Sequence, residues 1–127
     1  MEAVNELVAV FMEEADGRLK DLKSAVYSEI NESNCEKARI SSHTIKGMSS
    51  QMGYDRIAAV SKEIEKFFIS VRDMKKLPSH KDMEEIKKGV AAVEKLFEEL
   101  KNNGSEVSDI SELVSELIKL NSSFKGE

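Results

Sequence analysis

The chain has 127 residues, of which 40% are apolar and 34% charged, with one Pro, no Trp and a net charge of −5. That length suits one domain around one core. Scarce Gly and Pro beside abundant Lys, Glu, Leu, Ile, Val and Ala favour helices over strands, and an acidic balance with no basic stripe argues against nucleic acid as a partner.

The first predicted helix runs from about residue 3 to 29, with Val4, Leu7, Val8, Phe11, Ala15, Leu19, Leu22 and Val26 in one stripe at spacings of three and four. Ser33 followed by Glu36 is a capping-box pattern that should open the second helix. That helix turns Ala38, Ser41, Ile45, Met48 and Met52 inward and should stop at Gly53, a suitable left-handed cap. Asp55 is the expected cap of the third helix, whose buried side holds Ile57, Val60, Ser61, Ile64, Phe67, Phe68 and Val71. Lys75, Lys76 and Pro78 end it. The fourth helix spans about 80 to 102, with an unbroken seam of Met83, Ile86, Val90, Val93, Phe97 and Leu100. Asp109 and Glu112 form a second capping pattern before a short fifth helix carrying Ile110, Leu113, Val114, Leu117 and Ile118. The polar tail reads as the start of a linker, so the expected domain is 1–121 with linker from 122 to 127. The fold class is all-α: an antiparallel up-down four-helix bundle with a short fifth C-terminal helix.

No apolar run approaches the ~18 residues that a membrane span needs. The acidic N-terminus lacks a signal-peptide layout, and the single Cys35 cannot form an internal disulfide. The expected setting is reducing and cytoplasmic.

Chemistry concentrates on the second helix. His43 lies two residues from the buried Ile45, about 200° away around the helix, so it should face solvent. Arg39, Lys46, Gly47 and Ser50 share its side at spacings of three and four. A neutral imidazole is a nucleophile, and a lysine can meet the oxygens of an attached phosphoryl group as a mobile point charge. Gly47 costs about 1 kcal/mol relative to Ala in a helix interior, a cost that is useful where a bare surface must receive a partner. On spacing alone, an exposed helical histidine is usually just a surface residue, and a mid-helix glycine often only permits close helix packing.

The run His43-Thr44-Ile45-Lys46-Gly47-Met48-Ser49-Ser50-Gln51-Met52-Gly53-Tyr54 resembles the histidine phosphotransfer (HPt) motif, most closely that of the N-terminal phosphotransfer domain of the chemotaxis kinase CheA. Phe11-Met12-Glu13-Glu14-Ala15 with Leu19 and Leu22 is similar too, and the likeness extends over roughly residues 4 to 120. It implies that His43 accepts a phosphoryl group on Nε2, that Lys46 steadies its oxygens, and that Gly47 keeps a docking surface open, with Ser50 beside it. It also implies that Glu65, on the third helix, accepts a hydrogen bond from Nδ1. Without the resemblance, Glu65 reads as a solvated charge, although its neighbour Ile64 allows it to sit at the seam facing the second helix. Where relatives often carry a second histidine, three residues before that glutamate, this chain has Lys62, which is either a second cation near the phosphoryl group or a surface residue.

The implied partners are a CheA-type kinase catalytic domain, which would hold the ATP and Mg²⁺, and response regulators of the CheY/CheB type. This domain would itself be a carrier without a catalytic site, monomeric when isolated, and part of a histidine kinase. A free-standing phosphorelay protein and a non-phosphorylated helical adaptor are the alternatives. His80 reads as a surface residue, Cys35 lacks a tuning neighbour, no metal-ligand spacing is present, and no Gly-rich phosphate loop argues for ATP binding here.

Overall fold

The computed structural model describes residues 2–126, with side chains from residue 6 onward. It contains α1 (Glu2–Val26), α2 (Glu32–Met52), α3 (Asp55–Met74), α4 (His80–Asn103) and α5 (Ser111–Lys125). Each of α1 to α4 packs on its neighbours in a closed ring, α4 returning to α1, and α5 lies across α3 and α4. This is the expected bundle. Among the described residues, no helix is long and apolar enough to cross a membrane.

The core follows the spacing of the apolar residues. Every predicted inward residue of α3 and α4 is buried, and Leu22, Ile45, Ile57, Ile64, Phe67, Phe68, Ile86 and Phe97 are almost wholly withdrawn from water. Burying a side chain of that size contributes about 1.5–3 kcal/mol. Phe11 joins Tyr54 and Phe97 edge-on, with ring centroids 5.1 and 6.1 Å apart, and ties α1 to the α2–α3 turn and to α4. Leu7, placed in the α1 stripe, is instead exposed, and Val8 is half-buried. Val4 lies outside the described side chains. Met48 and Met52 are half-buried at the core's edge.

The helix starts differ most from expectation. α2 is capped by Asn31 and begins at Glu32; Asn31 Oδ1 accepts from the Asn34 amide at 2.8 Å. Ser33 is therefore already inside the helix, because the better capping geometry lies two residues upstream. At α3, Asp55 is the first helical residue and does not cap; Tyr54 precedes it without a side-chain cap bond. The free amides of Arg56 and Ile57 donate to the Glu106 carboxylate at 3.1 and 2.7 Å, from the loop before α5. Arg56 Nη1 donates in return to the carbonyls of Glu106 and Ser108 at 3.3 and 3.0 Å. Glu99 fastens the same loop: Ser108 Oγ and the amides of Ser108 and Val107 all donate to it, and these bonds hold its carboxyl at about 2. α5 has Ile110 at its cap position, with Asp109 accepting from Ser111 two residues on, so the predicted pairing with Glu112 is not made. Ser79 and Asp82 form a full capping box at the start of α4.

Replacing Glu106 with Ala is expected to destabilise the fold by about 1–2 kcal/mol, since two helix-end amides lose their acceptor. Urea unfolding measures this, and a change within 0.5 kcal/mol, the scale of an ordinary surface substitution, would mean that water replaces the carboxylate freely.

The predicted linker is also corrected. Residues 122–125 continue α5, and Glu127 lies outside the described residues. Phe124 is buried 4.7 Å from Phe67, and Lys76 sits over its ring while donating to its carbonyl. Asn121 is buried and donates to the backbone carbonyl of Glu63 at 3.1 Å.

Candidate functional site

The site lies on the α2–α3 seam. Small side chains are buried on both helices: Ser41, Ser42 and Ser49 on α2 and Ser61 on α3. Ser42 Oγ turns back to the Ala38 carbonyl at 2.8 Å, so its hydroxyl is satisfied within α2. Small residues let the two helices approach closely. The two-residue turn at Gly53 and Tyr54 then sets them antiparallel; Gly53 takes φ 78° and donates to Ser50, and Tyr54 donates to Ser49.

The close approach brings Glu65 of α3 to His43 of α2. His43 Nδ1 lies 2.6 Å from Glu65 Oε2, and Lys46 Nζ lies 2.6 Å from Glu65 Oε1. Each carboxylate oxygen thus has one partner. The exposures are opposed: the His43 side chain is 61% exposed and that of Glu65 is 8% exposed.

Charge decides the tautomer. Burial alone would push the Glu65 carboxyl up, but the hydrogen bonds from Lys46 and His43, with the Lys46 charge, outweigh it and hold the pKa below the usual range. An ionised carboxylate can only accept. In the neutral imidazole Nδ1 therefore carries the proton and donates, which leaves the lone pair on Nε2.

Gly47 lies one turn beyond His43. A Cβ built there would meet nothing within 4 Å, whereas one at Gly89 would press on Ile64 and Leu117 at 3.3 Å. Helix packing therefore requires Gly89 but not Gly47. Ser50 is exposed on the same side, as expected.

Other predicted neighbours are not gathered in. Arg39 is turned towards Glu36. Lys62 is exposed and contacts neither His43 nor Glu65. Cys35 is a buried thiol whose pKa burial pushes up, and His80 is exposed at the start of α4. The Lys46–Glu65 ion pair was not anticipated. Nothing in the sequence marks it beyond the one-turn step from His43 to Lys46.

A family model described as the Hpt domain matches residues 6–103. The chain belongs to the Hpt family. The fold of this Hpt domain is similar to the solution structure of the histidine phosphotransfer domain of CheA, with a TM-score of 0.77 at 21% identity over 95% of this chain and 90% of that one. At that identity, the likeness establishes shared architecture. Comparison with curated proteins finds no match.

Proposed function

We propose that this Hpt domain carries a phosphoryl group on Nε2 of His43. It receives the group from ATP held with Mg²⁺ on a kinase catalytic domain and hands it to an aspartate of a response regulator. The observation that carries this reading is the exposed imidazole whose Nδ1–H is bound at 2.6 Å by a buried, ionised Glu65. In the accepting step the Nε2 lone pair forms a bond to the γ-phosphorus as the bond to ADP breaks. Nδ1 keeps its proton, and Glu65 stabilises the positive charge that develops on the ring, as carboxylates do for other catalytic histidines. Lys46, one turn from His43, lies within reach of the phosphoryl oxygens. The open surface at Gly47 and Ser50 admits each partner in turn.

Within the family, we place the domain in a CheA-type chemotaxis kinase, in the cytoplasm, serving regulators of the CheY/CheB type. The likeness of fold to the CheA domain and the His43-to-Tyr54 run support this over a free-standing phosphorelay protein. Incubation with a CheA-type kinase core, ATP and Mg²⁺ tests the central step. The expected product is acid-labile, base-stable label on the peptide containing His43. No label, with a kinase core shown to be active on its own substrate and drawn from the same organism, would favour an adaptor bundle.

Replacing Glu65 with Gln should slow labelling by roughly 10- to 100-fold. The amide oxygen would turn to Lys46 and the NH₂ to Nδ1, which moves the ring proton to Nε2 and removes the attacking lone pair. Single-turnover labelling measures this, and an unaltered rate would remove Glu65 from the site.

A further inference from the structure

The cations around the site differ in how they are held. Arg39 is paired with Glu36, and Lys46 with the buried Glu65. Lys62 is exposed and makes no ion pair among the described residues. Its place in the fold is specific all the same. α2 and α3 run antiparallel, and His43 meets Glu65. Three residues on from His43 is Lys46, and three residues back from Glu65 is Lys62. Both lysines therefore flank the contact from the same end, one on each helix, each about one turn from it.

Phosphorylation creates a competition at this point. The resting site has one buried carboxylate, one ammonium and the imidazole ring. A phosphoryl group adds about −1.5 to −2 of charge across the ring from Glu65. Lys46 then faces two anions. If it stays on Glu65, the phosphoryl group loses its nearest cation. If it leaves, Oε1 becomes a buried anionic oxygen without a partner, which is costly.

We propose that Lys62 resolves this competition by a change of partners. As Nε2 gains the phosphoryl group, Lys46 moves from Glu65 Oε1 to the phosphoryl oxygens. Lys62, one turn from Glu65 on the same helix, swings in on its flexible stem and takes the vacated oxygen. Glu65 keeps a cation throughout and continues to accept from Nδ1–H. Lys62 is thus a positioning residue that acts through Glu65. The inference rests on the phosphoryl-carrier reading above.

The test uses phosphoramidate, a small donor that needs no docked kinase; its P–N bond breaks with release of ammonia as the bond from Nε2 to phosphorus forms. The chain, with ¹⁵N-labelled lysine, is followed by NMR before and after labelling. The ammonium protons of Lys62, initially in fast exchange with water, should become protected on phosphorylation, while the Lys46 ammonium signal shifts. Lys62→Gln should label roughly fivefold more slowly, the scale expected for one solvent-accessible ion pair, and Lys62→Arg should restore the rate. A Lys62 ammonium signal unchanged by phosphorylation overturns the exchange, even if Lys62→Gln is slower, because a rate effect alone is only attraction of the anionic donor. Wild-type chain that takes no label at all overturns the carrier reading, and this inference with it.

Discussion

His43→Gln is expected to abolish kinase-dependent labelling while leaving helix content and unfolding midpoint close to those of the parent. The structure separates the two effects. The His43 side chain is 61% exposed and contributes no packing to the core, so the fold loses little beyond one bond at the surface edge of the seam. Glu65 keeps Lys46 on its other oxygen and is not left as an unpaired buried charge. Gln is of similar length and can still donate to Oε2. It offers no nitrogen lone pair for attack, since its amide nitrogen is conjugated with the carbonyl. The loss should therefore fall on chemistry, with stability changing by less than about 0.5 kcal/mol. Circular dichroism and urea unfolding beside the labelling assay check both halves. A large loss of stability would mean that the histidine holds α2 against α3, and residual label would place a second acceptor elsewhere, for which His80 is the other imidazole in the chain.

The readable parts of this fold are those set by local periodicity. The three-and-four spacing on α3 and α4 places every predicted core residue inside, because a regular helix converts sequence phase directly into a face. The same phase argument turns His43 away from Ile45 and out to solvent, whereas Glu65 reads from its own segment as a solvated charge and is assigned to His43 only by the family resemblance. The errors arise where distant residues supply what local ones were expected to supply. Glu106 caps α3 from about 50 positions away in sequence, and no local pattern reveals it. The polar composition of the tail points to a linker, yet Leu117, Asn121 and Phe124 stand at spacings of four and three and continue the buried side of α5. That spacing is visible in the sequence, although Ser122 and Ser123 interrupt it with polar side chains. The Lys46–Glu65 pair depends on helix register and side-chain rotamer together, which one sequence does not fix.

Gly47→Leu provides the sharpest test of the docking surface, because it should stabilise the helix and still stop the function. A leucine in place of a mid-helix glycine gains up to about 1 kcal/mol in propensity, and the open space around a Cβ at this position means that no packing clash opposes it. A helical side chain leans towards the N-terminus and covers the preceding turn. Here that turn carries His43, so the leucine would stand on the surface that a kinase or regulator must approach to reach Nε2. Transfer requires the reacting atoms to come within about 3–3.5 Å in line, and a small misplacement costs orders of magnitude. Kinase-dependent labelling and transfer to a regulator should both fall by more than about 100-fold, a penalty of near 3 kcal/mol on each docked complex. Gly47→Ala should lie between the two, since one methyl covers little of that turn. The unfolding midpoint of Gly47→Leu should equal or exceed that of the parent. A variant that is more stable yet takes phosphoryl groups at the parent rate would show that partners approach His43 from another side, and the helix would then be carrying a destabilising glycine for some other reason.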